Sequence, residues 1–505
     1  MSSELKNPEL EKNKLMKQAL TIIGIIAAYF VIVLLPTPDG LTASGKKAIA
    51  LMVCVVLTWA TQVIPILVSS VFFIFIAGLI GLETLALNPA TGEPDSIGQL
   101  QVIKDFATPT VFFMFVSILL AYAMDRCGIN QRLALMMTAM SKGNPKAMIW
   151  FFTVGTALIS TVISNVPSCA AFFPIVLAVC KKNDCVKGKS NFAKASVIGI
   201  IFGAMVGGNA TPAGTPINIM ALDLLKAATG GDNGIEITFA EWSLMGIPLV
   251  AIILPAICFI LTHVFPPEFE KLAGVDEAKR DLAALGKLNK QEIKFIVMSL
   301  LMLVVWFLEG YVHQLSTTTV LTIYSALLFF PGINLLDFEY VQNKLDWTVI
   351  IMTGASIAFG AAMLKTGAAG WIADIALKPF IGVGDSFASQ LLLVTVLAAF
   401  TCVVHLLIPS CPALVSVLIP VVLAFGMNNG IPVMLLFLPV AFNVSTYWLL
   451  PFDPLPMMCY PEKYFSIKDF FKAGWIAHVA LIIVSVAVIM LIGKPLVGGL
   501  MASIP

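Results

Sequence analysis

Charge is scarce in this chain. Of 505 residues only 30 are Lys or Arg and 29 are Asp or Glu, 12% in all, about half the share of an ordinary soluble domain. With a net charge of +1 there is no global field to favour nucleic acid. The nine cysteines form no CxxC pair, and Cys54, Cys258 and Cys402 lie inside apolar runs, where a thiol acts as a small hydrophobe. That excludes a disulfide framework and a zinc site. HExxH, GxSxG and Walker patterns are missing too, which argues against an enzyme and against ATP hydrolysis in particular.

What the chain has in excess is apolar sequence, 59% of its residues, more than one soluble core absorbs. The runs divide into spans of about 20 residues near 19–36, 46–65, 66–82, 109–126, 194–227, 243–264, 294–310, 316–332, 347–365, 431–458 and 473–493. Two further stretches, 147–180 and 388–425, are long enough to enter a bilayer partway and return. The expected fold is an all-α membrane protein of about eleven transmembrane helices plus two re-entrant hairpins. Residues 1–18 form a hydrophilic N-terminal segment with no cleaved signal, and 266–293 a solvated charged linker with a surface helix. The linker separates a first repeat half, 19–265, from a second, 294–505.

Basic residues orient this layout, because cytoplasmic loops collect Lys and Arg. With the N-terminus inside, the inside segments hold Lys12, Lys14 and Lys17, Arg126 to Lys146, Lys181 to Lys189, Lys271 to Lys290, and Lys463 and Lys468. The outside segments hold few, chiefly Lys46, Lys47, Lys104 and Lys378. Eleven crossings put the C-terminus outside. Thr110-Val111, Met114, Ala123-Met124 and Gly128 recur as Thr348-Val349, Met352, Ala362-Met363 and Gly367, so the halves repeat and are expected to be inverted.

Each half carries the same polar interruption. The first hairpin reads Thr161-Val-Ile-Ser-Asn-Val-Pro-Ser-Cys169 and the second Leu406-Leu-Ile-Pro-Ser-Cys-Pro412, with Ser164 and Ser410 each ten positions before a proline. Downstream of each lies an apolar segment broken by Gly and Pro, Gly207 to Asn218 and Ser445 to Pro456. Backbone leaves the helix at membrane depth only where protein or water satisfies it, and paired interrupted segments mark a transporter binding site. Free N–H groups at Ser164 to Ser168 and Ser410 to Ala413 would face an anion. Unwound carbonyls from Gly207 to Gly214, with Ser164, Asn165 and Thr211 oxygens, would suit a hard cation.

These residues resemble the divalent-anion:sodium symporters, secondary carriers of di- and tricarboxylates and sulfate. That family has a Ser-Asn-Thr signature at each hairpin tip. Ser164-Asn165-Val166 keeps two of the three, and Thr211-Pro-Ala-Gly-Thr-Pro-Ile-Asn218 matches the family's broken fifth helix. The second half departs, with Ser410-Cys411-Pro412 at the tip, Met457 where Asn is common, and Asp453 where a neutral residue is usual. The resemblance implies substrate contacts at Ser164, Asn165, Val166, Ser168, Thr215, Pro216, Ser410, Cys411 and Pro412. It implies one sodium at Ser164, Asn165, Gly208, Thr211, Gly214 and Asn218, and a rebuilt second at Ser410, Ser445, Thr446 and Asp453. Na+ would be the coupling ion, and a homodimer in a prokaryotic cell membrane the assembly.

Plainer roles compete. Ser164 and Asn165 could cap helices; Gly208, Gly214, Pro212 and Pro216 shape a break; Cys169 and Cys411 supply small volume; His405 packs in a core. Asp453 is harder to dismiss, since a carboxylate at membrane depth needs a partner, a cation or a proton. The expected function is a secondary active transporter that imports a small anion, a di- or tricarboxylate such as citrate, by sodium symport with an elevator motion. Alternatives are a proton-coupled or exchange carrier for another organic anion or sulfate, and an anion channel.

Overall fold

The computed structural model describes residues 8–87, 93–231, 234–345, 347–377, 386–407, 411–451 and 453–497. Helices dominate, and the one sheet among these residues is an antiparallel pair, Leu82–Leu87 with Pro94–Ile97. Every apolar span and both hairpins read from the sequence have a helix at their place. Seven helices among the described residues are long and apolar enough to cross a membrane. The hydrophilic start also joins the first helix, Pro8–Leu34, because its Glu, Lys and Leu residues are good helix formers that apolar periodicity does not detect. Helix Val275–Leu285 fills the place of the expected surface helix.

Two compact units emerge, and each draws on both halves of the chain. One comprises Met1–Thr108 with Trp347–Pro379, the other Pro109–Asp346 with Phe380–Pro505. In the first unit Thr42 caps helix Ala43–Thr61 by accepting from Gly45 N, and its hydroxyl donates to Thr366 O, both at 2.8 Å. Lys365 and Asp105 pair at 2.6 Å. Gly354 lies flat against Phe106, whose ring a β-carbon would meet at 2.5 Å.

The second unit contains the repeat in its clearest form. Hairpin Pro145–Ser160 and Asn165–Lys182 is followed by a broken helix, Asn191–Gly207 and Pro216–Thr229, and a closing helix, Phe239–Val264. Hairpin Phe387–Leu407 and Cys411–Asn429, broken helix Val433–Val444 and Pro454–Cys459, and closing helix Ile467–Val488 repeat that order. Both closing helices begin with a reciprocal capping box, Thr238 with Glu241 and Ser466 with Asp469, which satisfies the first N–H groups and sets where the helix starts. Pro174 and Pro420 each fall inside the returning hairpin helix, removing one ladder bond there. The helices Pro109–Cys127 and Trp347–Lys365, one in each unit, are both 19 residues long, and the glycines that follow, Gly128 and Gly367, have φ of 83° and 76°. A left-handed residue ends each helix in the same way.

Loops that the charge distribution assigns to one side gather at one end of this unit. Leu272 N donates to Gly143 O at 2.8 Å, before the first hairpin, and Ala273 N to Asn183 Oδ1 at 2.7 Å, after it. Phe192 N donates to Glu268 at 2.9 Å, Lys187 pairs with Glu462 at 2.7 Å, and Lys194 with Asp469 at 3.0 Å. Both feet of the first hairpin therefore rest on the same linker.

Arg132 holds Glu292 through Nε at 2.6 Å and Nη2 at 3.0 Å, and also donates to Gly286 O. Glu292 is only 2% exposed and completes the cap at Asn289. Removing one partner leaves Glu292 without its guanidinium, so Arg132→Ala should destabilise the protein. The drop should be visible as a lower thermal midpoint of the purified protein, while the paired replacement Arg132→Met/Glu292→Met should recover most of it. Equal midpoints for wild type and Arg132→Ala would show the pair to be dispensable.

Candidate functional site

The first tip is built by residues that satisfy its own backbone. Ser168 Oγ bonds to the carbonyls of Ile163 at 2.9 Å and Ser164 at 3.0 Å, closing the turn between the hairpin helices. Ser164 stands at the N-cap of Asn165–Lys182, yet its side chain makes no capping bond. The plainer capping role expected of Ser164 is therefore not the one it takes. Val166 is 37% exposed at the same tip.

Asn165 turns inward. Its amide ends among three oxygens: Ser160 Oγ at 2.9 Å, the Ala204 carbonyl at 3.1 Å and the Gly214 carbonyl at 3.3 Å. Ser160 Oγ in turn donates to Ala204 O at 2.7 Å. Two arrangements satisfy this geometry: the amide nitrogen donates into the cluster, or the amide oxygen joins it and four oxygens share a cation. Ser160, which the sequence reading passed over, is thus part of the same cluster. Its signal was there, a serine five residues before Asn165 at the start of the hairpin turn.

The first break supplies the other side of that cluster. Two 3-10 turns, Gly208–Ala210 and Pro212–Gly214, connect the helix pieces. At Gly208 a β-carbon would stand 2.2 Å from Asn165 Oδ1, and at Gly214 one would stand 2.5 Å from Gly208 O. Only glycine lets the backbone pass this closely. Asn218 Nδ2 donates to Gly208 O at 2.8 Å and Thr211 O at 2.9 Å, while its Oδ1 is buried without a hydrogen-bond partner among the described residues. Thr211 Oγ1 donates to Thr161 O at 2.5 Å, fastening the break to the tip. Thr215 is the buried N-cap of Pro216–Thr229 with no capping bond of its own, and Pro216 follows at the first helical position.

Asn209 ties the two breaks together. Its Nδ2 donates to Phe442 O at 2.9 Å and its Oδ1 accepts from Ser445 Oγ at 2.6 Å, across the repeat. Trp242 Nε1 donates to Asn209 O at 3.0 Å. The closing helices admit the breaks at matching glycines. At Gly246 a β-carbon would lie 2.3 Å from Asn209 O, and at Gly474 1.7 Å from Trp448 O.

In the second half Ser410 lies outside the described residues. Ser445 points to Asn209, and Thr446 Oγ1 donates to Asn443 O at 3.0 Å, bonds that involve neither Cys411 nor Asp453. Cys411 Sγ donates to Asp453 Oδ1 at 3.3 Å and lies 3.7 Å from His405 Nε2. Pro412 follows Cys411 in the first turn of its helix. His405 is fully buried and packs against Tyr447, ring centroids 4.3 Å apart and planes tilted by 37°. Cys169, on the first hairpin's returning helix, faces Cys459 on the second broken helix at 3.8 Å between sulfurs.

Comparison with known proteins sharpens this picture. A family profile described as the sodium:sulfate symporter transmembrane region matches residues 16–498. A sodium-dependent dicarboxylate transporter SdcS of Staphylococcus saprophyticus is 25% identical over 94% of this chain and 92% of its own, and one of Staphylococcus aureus is 26% identical over the same shares. Among solved structures, the Alcanivorax borkumensis YdaH transporter aligns with a TM-score of 0.53 at 15% identity, covering 85% of this chain and 98% of its own. Neisseria gonorrhoeae MtrF aligns at 0.50 and 13%, covering 92% and 97%, so both speak to fold alone.

Replacing Asn209 removes two buried bonds that join the halves. Asn209→Ala should cost about 2–4 kcal/mol, from the lost bonds and a stranded Ser445 hydroxyl, read as a lower thermal midpoint. The double variant Asn209→Ala/Ser445→Ala should be no worse than the single one. Additive losses would mean the two side chains act separately.

Proposed function

The chain belongs to the sodium:sulfate symporter family, and on that premise we propose that it carries a small carboxylate across the membrane in symport with sodium. It is a multi-pass membrane transporter. The observation that carries the coupling ion is the oxygen cluster at the first tip, where Asn165, Ser160, Ala204 and Gly214 converge within 3.3 Å of the amide end. With the Asn165 amide oxygen turned into the cluster a sodium ion would join the four oxygens, whereas the turned nitrogen donates to them without one, and the buried Asn218 Oδ1 offers a further neutral oxygen nearby. Among the described residues no group of three His, Cys, Asp or Glu is placed to hold a metal ion. Neutral oxygens suit an ion that must be released each cycle. The dicarboxylate named for the SdcS relatives supports a carboxylate as substrate.

The anion would meet the N-terminus of Asn165–Lys182, where backbone N–H groups, the uncommitted Ser164 hydroxyl and the Thr215 hydroxyl supply partial positive charge without Lys or Arg. Both hairpins, both broken helices and both closing helices belong to one compact unit. That supports an elevator in which the site travels with its surroundings, and a homodimer would supply the fixed scaffold. Re-entrance of the first hairpin is supported by its two feet on one linker, Gly143 with Leu272 and Asn183 with Ala273. The basic loops at that end support reading it as the cytoplasmic side.

Asn165→Ala should abolish sodium-driven uptake into proteoliposomes and the sodium-induced rise in thermal midpoint, while the purified variant stays monodisperse. Normal uptake by that variant would remove the first tip from the site. In intact cells, single cysteines at Lys142, Lys187 and Lys463 should all resist an impermeant thiol reagent added outside. Labelling at Lys187 alone would mean that the first hairpin crosses fully.

A further inference from the structure

Thr215-Pro216 and Asp453-Pro454 occupy the same place in the two halves. Each residue is the N-cap that follows the break, each is in extended conformation (φ −149°, ψ 142° and φ −76°, ψ 151°), each is buried and makes no capping bond, and each precedes a proline at the first helical position. The tips correspond as well, Asn165 to Cys411, both first in their returning helix. In the first half the N-cap is a neutral hydroxyl. In the second it is a carboxyl, and it is already engaged: Asp453 Oδ1 accepts from Cys411 Sγ at 3.3 Å, at the first residue of the returning helix.

The Cys411 N–H is the first of the 19-residue helix Cys411–Asn429. That donor is the one an incoming anion would use, since its counterpart at the first tip lies at the N-terminus of Asn165–Lys182. We infer that Asp453 acts as a built-in carboxylate that fills the second anion position, so the transported molecule carries one carboxylate, held at the first tip, and turns a neutral hydrogen-bond donor towards the second. A second substrate carboxylate would compete with Asp453 for the same helix end and meet a like charge in a buried setting. A hydroxyl or amide N–H at that end would instead find an acceptor. Asp453 thereby sets specificity, and Cys411, in the place of Asn165, is the small donor that leaves the carboxyl room to reach the helix end.

This inference rests on the carrier reading and on the first tip as the anion site. The test measures binding of succinate and its monoamide succinamate to the purified protein by calorimetry, in sodium and in choline, with glutarate and glutaramate as the longer pair. Wild type should bind the monoamide more tightly than the diacid by about tenfold or more, in sodium only. Asp453→Thr, which installs the first half's residue, and Asp453→Asn should shift that ratio towards the diacid by a similar factor. A diacid preference in wild type overturns the inference while leaving the carrier reading intact, as does an unchanged ratio in well-folded Asp453 variants. Should those variants fail to fold, the wild-type ratio decides alone. Sodium-independent binding, or none of the four compounds binding, would count against the carrier reading and the inference together.

Discussion

Everything in the second unit depends on backbone groups that two helices abandon where they break. Between Gly207 and Thr215, carbonyls and N–H groups leave the helical ladder among wholly buried neighbours, where an unmet polar group is costly. The protein meets them with few side chains. Asn218 takes the Gly208 and Thr211 carbonyls, Trp242 takes that of Asn209, and Thr211 returns a hydroxyl to Thr161. Glycines at 208, 214, 246 and 474 remove the β-carbons that would keep these strands of backbone apart. The oxygens of Ser160, Ala204 and Gly214 that remain converge on the Asn165 amide.

The same constraint explains why the halves interlock instead of lying side by side. The first break is fastened to the second through Asn209, Phe442 and Ser445, and helix Pro216–Thr229 packs on Cys411–Asn429 of the other repeat. The returning helix of the first hairpin meets the second broken helix at Cys169 and Cys459. Each half thus completes the other's interruption. A substitution in one break is felt in both, and in the second half Cys411 touches both Asp453 and His405, so those three side chains are coupled through it.

Much of this was legible in the residues alone. Apolar runs located the helices, proline and glycine located the breaks, and the order of hairpin and broken helix announced a repeat, because burial in an apolar setting leaves few choices of residue at each place. Capping boxes at Thr238 and Ser466, with the glycines eight residues on from each, Gly246 and Gly474, would have aligned the halves better than the serine-to-proline spacing did. Ser164, Asn165, Thr211, Thr215 and Asn218 were recognisable as polar groups with no reason to sit in an apolar run.

Which polar groups would meet was another matter. Ser160 with Asn165, Asn209 with Ser445, and Cys411 with Asp453 are separated by 5, 236 and 42 positions; the longer separations carry no periodic signal, and only the folded backbone sets the directions in which side chains point. Ser445 has the composition of a cation ligand, yet its hydroxyl is directed to Asn209 because the crossing of the two breaks brings that amide within reach. The sequence by itself determined that this protein is helical, membrane-embedded and twice interrupted, since hydropathy and helix-breaking residues act locally. Tertiary structure alone decided which interruption gathers oxygens and which holds its own carboxylate, because that depends on how closely distant backbones approach.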